Sequence, residues 1–287
     1  MCQPNSGMLC LALTPFTFSS YGWLLLVAIA ASLFTWTRLA RRDPRLVLIY
    51  VAALLSAFIG AKLVYLLAEG WLDWPLPDRW LRLATGKSVL GALLGGYAGV
   101  ELAKHALGHR AATGDLFALV APLGIGIGRV GCLLHGCCLG ERCEPAWWTL
   151  RDAQGVARWP AVPLELAFNI AAIVIFLLLR SRAPRSRACK SAGTSPHGTS
   201  GSDRAAAPEI SPRSHERGYF MRGQHFHLYL IAYGAFRFAH EWMRATPKIA
   251  GVISGYQLAA LACVALGVWG FRRRARLEQQ SAARYCQ

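Results

Sequence analysis

Apolar residues in this chain come in long blocks that are separated by polar, basic or Pro- and Gly-rich stretches. Seven blocks stand out: Tyr21–Trp36, Leu46–Leu67, Ser88–Glu101, Leu116–Leu134, Val162–Leu179, Phe226–Met243 and Val252–Phe271. A helix needs about 20 residues, within a range of about 17–25, to cross the hydrocarbon layer. The pattern therefore predicts an all-α fold, a polytopic membrane helix bundle with about seven transmembrane helices. The shorter blocks borrow flanking residues or sit inside the bundle.

Composition agrees with this reading. Hydrophobic residues make up 54% of the 287, and charged residues only 16%, against about 25% charged in soluble domains. The formal net charge of +16 could suggest a nucleic-acid partner. The basic residues fall between the apolar blocks, however, where the positive-inside rule accounts for them. With the N-terminus outside, the inner segments hold 20 of the 31 Lys and Arg residues, among them Arg38–Arg45, Arg180–Arg222 and Arg272–Arg284. The expected orientation is N-terminus outside and C-terminus inside, with membrane lipids as partners and no nucleic acid.

The whole chain, 1–287, reads as a single integral membrane domain. The stretch 181–223 is rich in Arg, Ser, Pro and Gly. It has too little apolar surface to order itself and is expected to be a flexible basic cytoplasmic loop between the fifth and sixth spans. The segment Glu69–Gly86 carries Trp71, Trp74 and Trp80 among charges. Tryptophan suits the membrane interface, so this segment is expected to lie along the outer face. The opening "MCQPNSGMLCLALTPF" has no basic n-region and does not read as a cleaved signal peptide.

Candidate chemistry lies in the charges placed inside the apolar blocks. Gly91, Gly95 and Gly99, and likewise Gly124 and Gly128, recur every four residues, and are expected to bring helix backbones close together. Lys62, Glu101, Arg129, Arg237, Glu241 and Arg244 are ionisable, and each costs about 2.5–3.5 kcal/mol at a membrane centre. Snorkelling accounts for those near block ends but less well for Arg129 and Arg237. Arg237, Glu241 and Arg244 share a helix face with Tyr233, while His240 is expected to point elsewhere. A guanidinium presents a fork of donors that matches phosphate. Two such groups on different helices point to a phospholipid headgroup, although a structural Arg237–Glu241 pair is the plainer alternative.

Cys132, Cys137, Cys138 and Cys143 cluster with His135 at the end of the fourth block. Their C-x4-C-C-x4-C spacing departs from the paired C-x2-4-C units of structural zinc, so no metal and no cofactor is expected. A disulfide is possible on an oxidising face, and packing is the remaining reading.

In this order the residues resemble the prolipoprotein diacylglyceryl transferase family, as a divergent member, over most of the chain outside 181–223. "SYGW" (Ser20–Trp23) is similar to the family's Tyr-Gly, and "GAKLVY" (Gly60–Tyr65) to its Gly-Ala-Arg-x-x-Tyr, with Lys62 for arginine. "GRVGCLLHGCCLG" (Gly128–Gly140) aligns with the family signature at Arg129, Gly131, Gly136 and Gly140. Cys132, His135 and Cys137 stand there in place of Asn, Asn and Glu. "WPAVPLE" (Trp159–Glu165) resembles His-Pro-x-Gln-Leu-Tyr-Glu, and "YGAFRFAHEWMR" (Tyr233–Arg244) resembles Tyr-Gly-x-x-Arg-Phe-x-x-Glu-x-x-Arg. Leu90 takes the place of the family's histidine.

The resemblance implies a bacterial inner-membrane enzyme. Such an enzyme transfers diacylglycerol from phosphatidylglycerol to the lipobox cysteine of a prolipoprotein signal peptide. Arg129, Arg237, Glu241 and His135 would be the catalytic residues, with His135 as base for the incoming thiol. Tyr21, Lys62, Gly131, Gly140, Tyr233 and Arg244 would line the substrate. The alternative is a lipid-binding or thiol-handling membrane protein on the same fold.

Overall fold

The computed structural model describes residues 20–39, 41, 43–109, 112–182, 223–249 and 251–285. The loop expected at 181–223 lies outside these residues except at its ends.

Among the described residues the chain is mostly helical. The long helices are α1 (Ser20–Leu39), α2 (Arg45–Tyr65), α5 (Val89–Ala106), α6 (Gly114–His135), α7 (Ala161–Arg182), α8 (His225–His240) and α9 (Gly255–Tyr285), and each apolar block of the sequence falls on one of them. A π-turn at Leu66–Gly70 carries α2 into the short α3 (Trp71–Asp73), and α4 (Arg79–Thr85) follows. Two small antiparallel hairpins depart from the all-α expectation: β1 (Leu150–Arg151) with β2 (Ala157–Arg158), and β3 (Lys248–Ile249) with β4 (Ile253–Ser254). Among the described residues, three helical stretches are long and apolar enough to cross a membrane: Arg45–Asp73, Gly114–Leu134 and Ala161–Ser181.

Burial is inverted relative to a protein made for water. Leu55, Phe58, Ile59 and Leu63 on α2, Leu67 in the π-turn that follows it, and Ile170, Val174 and Ile175 on α7 are exposed. Arg129, Glu165, Asn169, Arg237, His240, Glu241 and Gln257 are buried. An apolar exterior around a polar interior is stable where lipid is the solvent, because intramembrane charges turn toward the bundle.

Small residues set the helix contacts. α2 packs chiefly on α5, α8 on α9, and α6 on both α1 and α7. At the α2–α5 crossing a Cβ on Gly91 would fall on the Gly60 carbonyl oxygen, and one on Gly95 on the Ser56 carbonyl oxygen. A Cβ on Gly60 would sit 2.8 Å from the Gly95 Cα. Backbones can approach this closely only without side chains. The second glycine pair behaves differently: Gly124 has Ser32 Oγ 3.4 Å from its added Cβ position, and Gly128 has nothing within 4 Å. Among the described residues, then, nothing approaches Gly128 closely, and the close backbone contact expected there is not seen.

At the far end of α6, Asp115 accepts from the Gly223 amide at 2.8 Å and lies 2.8 Å from His225 Nδ1, tying the start of α8 to the start of α6. An apolar cavity of about 340 Å³ lies between α1, α2, α5, α6 and α8. It runs from Lys104 and Arg274 up α6 to Gly124 and Ile125. The opposite end of the bundle, where α6 and α8 finish and α7 and α9 begin, carries the polar residues described next.

Candidate active site

Two helices face each other with polar groups at four-residue spacing. α7 contributes Glu165 and Asn169, and α8 contributes Tyr229, Tyr233 and Arg237, so each set lies along one stripe. The Tyr229 hydroxyl donates to Asn169 Oδ1 at 2.8 Å, and the Tyr233 hydroxyl donates to Glu165 Oε1 at 2.7 Å. The two tyrosine rings stack at 5.6 Å. Asn169 Nδ2 donates in turn to the Glu165 carbonyl at 2.7 Å.

Glu165 joins the two arginines. Arg129 Nη2 on α6 lies 2.8 Å from Glu165 Oε1, and Arg237 Nη1 on α8 lies 4.0 Å from Glu165 Oε2. Glu241, in the 3-10 turn Glu241–Met243 that ends α8, takes the other side of Arg237 at 3.0 Å and sits 3.9 Å from Arg244 Nε. Thr246 Oγ1 donates to Glu241 Oε1 at 2.7 Å.

His240 belongs to this site, contrary to the sequence expectation. Its Nε2 lies 2.8 Å from the Ala161 carbonyl, which can only accept, so Nε2 carries the proton. Nδ1 is then free to accept from Arg237 Nη1 at 2.8 Å. His240 follows Arg237 by three residues on α8, a spacing that puts both on one face.

The site keeps donors in reserve. Three guanidiniums (Arg129, Arg237, Arg244) face two carboxylates (Glu165, Glu241), leaving one formal positive charge. Buried Nε atoms of Arg129, Arg237 and Arg244, and Nη1 of Arg244, make no hydrogen bond among the described residues, and neither do Glu165 Oε2 and Glu241 Oε2, so four donors stand unpaired beside two acceptors. Unpaired buried donors are costly, and an anion would relieve that cost.

The chain that follows α6 closes over this cluster. Gly136, at φ 65°, ends the helix. The Cys137 amide donates to the Cys132 carbonyl at 3.1 Å and the Gly136 amide to the Leu133 carbonyl at 3.2 Å, a Schellman turn. Gly140 then pairs with Arg244, and the Glu141 amide donates to the Met243 carbonyl at 2.8 Å. A Cβ at Gly140 would come within 2.6 Å of the Trp159 Cβ and 2.9 Å of the Met243 oxygen, so three segments meet there only because it is glycine. Arg129 Nη1 lies 3.9 Å from Cys132 Sγ. The Cys138 thiol is held well below the ordinary thiol range by a hydrogen bond from Cys132, helped by the charges of Arg244 and Arg129.

The structure therefore brings together Arg129, Tyr233, Arg237, Glu241 and Arg244. Gly131 is buried in α6 beside Arg129, and Gly140 supports Arg244. Lys62 stands apart: its Nζ donates to the carbonyls of Leu83, Ala84 (2.7 Å) and Gly86 (2.9 Å), spending all three donors on the end of α4. The side chains of Tyr21 and His135 lie outside the described residues. Glu165 and Asn169 were missed as site residues, though an acid inside the apolar block Val162–Leu179 is the same signal that singled out Arg129.

A family model described as prolipoprotein diacylglyceryl transferase matches residues 8–195. The chain belongs to this family. Among its prolipoprotein diacylglyceryl transferase relatives, phosphatidylglycerol–prolipoprotein diacylglyceryl transferase 2 of Clostridium perfringens is 29% identical over 171 residues, 55% of this chain and 66% of the relative. The phosphatidylglycerol–prolipoprotein diacylglyceryl transferase of Paracidovorax citrulli is 25% identical over 300 aligned residues, 95% of this chain and 98% of the relative. The enzyme of the same name from Pseudomonas paraeruginosa is 25% identical, covering 95% and 96%. These identities are low, as expected of a divergent member of a transferase family.

Proposed function

We propose that this protein transfers the diacylglyceryl group of phosphatidylglycerol to the lipobox cysteine of a prolipoprotein signal peptide, as the names of its relatives suggest. The carrying observation is the buried guanidinium cluster with one positive charge in excess and unpaired Nε donors. In the proposed reaction, the acceptor thiolate attacks the glyceryl carbon bonded to the phosphate oxygen. A C–S bond forms, the C–O bond breaks, and glycerol phosphate leaves with the electron pair. Negative charge gathers on the phosphate, where fixed donors in a dry site help most.

Arg129 and Arg237 grip the phosphate. Glu165 and Glu241 orient them, with Tyr233 and His240 fixing Glu165 and Arg237 in turn. Arg244, Gly131 and Gly140 shape the headgroup pocket, and Tyr21 is assigned to the headgroup by the family resemblance alone. His135 takes the thiol proton, since imidazole titrates near neutral pH. The apolar cavity ends at Gly124 and Ile125 on α6, about 7.5 Å of helix rise before Arg129, and accepts an acyl chain. Lys62 acts on this site only through the segment that it pins. The reading carries with it seven spans, an outside N-terminus, an inside C-terminus and residence in the bacterial inner membrane. The 20 of 31 basic residues in the inner segments support that orientation.

The test is rescue of a strain depleted of its own transferase, with membrane insertion checked by fractionation. Rescue, with lipid attached to a reporter prolipoprotein, is expected. Inserted protein that neither rescues nor consumes phosphatidylglycerol overturns the reading. The thiol-handling alternative is favoured by one observation, the three thiols beside Arg129, which bear on the next inference.

A further inference from the structure

The thiols of Cys132, Cys137 and Cys138 gather although their spacing in sequence argued against a metal. Their three Sγ atoms all lie within 4.8 Å of one another. The helix end produces this convergence. The Schellman turn folds Cys137 back over the last turn of α6, and Cys138 adopts a second left-handed conformation at φ 60°. Two reversals within three residues bring residues five and six positions beyond Cys132 back to it. A non-glycine residue seldom adopts positive φ, so this conformation is one the surrounding chain imposes.

We propose that Cys132, Cys137 and Cys138 form a three-thiolate site for a thiophilic divalent d10 cation of the zinc class. Tetrahedral ligation with Zn–S of about 2.3 Å sets sulfurs about 3.8 Å apart. Closing from 4.8 Å takes at most about 1 Å of movement, which side-chain rotation supplies. Burial is graded in the way a loaded site requires, with Cys132 buried, Cys137 half-buried and Cys138 exposed, which gives an ion access from one side. Three thiolates on a divalent ion carry one net negative charge. The guanidinium cluster carries one net positive charge, and Arg129 Nη1 lies 3.9 Å from Cys132 Sγ. On binding, each thiol that still carries a proton releases it to solvent as its metal–sulfur bond forms; no redox change occurs. Among the described residues, Cys143 stands outside the trio and no fourth side chain joins it.

The test uses the full-length protein, purified in detergent with a phosphine reductant and titrated with Co²⁺ alone. One equivalent should give the thiolate-to-cobalt charge-transfer band and tetrahedral d–d bands, and Zn²⁺ should abolish both. Cys132→Ser, Cys137→Ser and Cys138→Ser should each weaken binding at least tenfold, while Cys143→Ser should leave it unchanged. In wild-type protein, one equivalent of Zn²⁺ should slow alkylation of Cys137 and Cys138 but not of Cys143; this readout needs no variant to fold. Absence of the stoichiometric bands, bands that survive in the three variants, or loss in Cys143→Ser overturns the site. So does a disulfide within the trio in protein isolated without reductant. None of these measurements uses lipid transfer, so the outcome is separate from that of the proposed reaction.

Discussion

Arg129 and Glu165 form a buried ion pair, 2.8 Å apart, between α6 and α7. Glu165 is also within 4.0 Å of Arg237 on α8 and accepts from Tyr233, so one carboxylate ties three helices together.

Removing one partner of a buried pair costs about 3–5 kcal/mol, because the other charge is left unpaired. Glu165→Ala should therefore lower the unfolding temperature in detergent by several degrees and abolish turnover. Glu165→Gln, which keeps the Tyr233 hydrogen bond, should restore part of the stability and little of the activity. Equal destabilisation of the two variants in thermal unfolding would show that the Tyr233 hydrogen bond contributes nothing.

The glycines separate into two classes. Gly91→Ala and Gly95→Ala put a methyl group on the facing backbone of α2, an overpacking worth about 1–3 kcal/mol, and should lower yield and unfolding temperature. Gly128→Ala meets nothing within 4 Å and should fold normally. Parallel expression and thermal unfolding of the three variants checks this contrast.

Much of this was legible in the sequence. The apolar blocks located the long helices to within a few residues, and the intramembrane charges identified Arg129, Arg237, Glu241 and Arg244. Three features were missed or misread. What could not be read for Glu165 was its set of partners, Arg129, Arg237 and Tyr233, because they lie on other helices. His240 was misplaced on its adjacency to Glu241, although its three-residue spacing from Arg237 on α8 puts those two on one face. The thiols looked unsuited to a metal because linear spacing does not show the two left-handed residues, Gly136 and Cys138, that fold the chain back.

Gly140 offers a test of how the segment after α6 supports the site. Gly140→Ala would press on Trp159 and the Met243 carbonyl, breaking the pairing with Arg244. Loss of activity at nearly full helix content, measured by circular dichroism beside a turnover assay, is expected. Full activity would mean that this pairing does not position Arg244.

The β1–β2 hairpin should depend on pH. Arg158 lies 2.8 Å from the Asp152 carboxylate and, with the Val156 and Gln154 amides, holds it below the ordinary carboxylate range. A depressed carboxylate stabilises the fold above its unfolded pKa, and that contribution is lost as pH falls through the folded value. Protease nicking within residues 150–158 should thus be slow at neutral pH and faster in acid below the usual carboxylate range. Asp152→Asn should nick quickly at both. A variant as resistant as wild type at neutral pH would contradict this.

The central claim is that the paired arginines grip a lipid phosphate, and it is tested most directly by phosphatidylglycerol turnover in purified Arg237→Ala and Arg237→Lys. Arg237→Ala leaves Glu241 unpaired and should unfold at a lower temperature than wild type, so turnover is compared at a temperature where circular dichroism shows both variants folded. The alanine variant should lose turnover by at least about 100-fold, in the range of losing one transition-state donor, and lysine should recover only a small part because it lacks the fork. Turnover in folded Arg237→Ala equal to wild type would contradict the account.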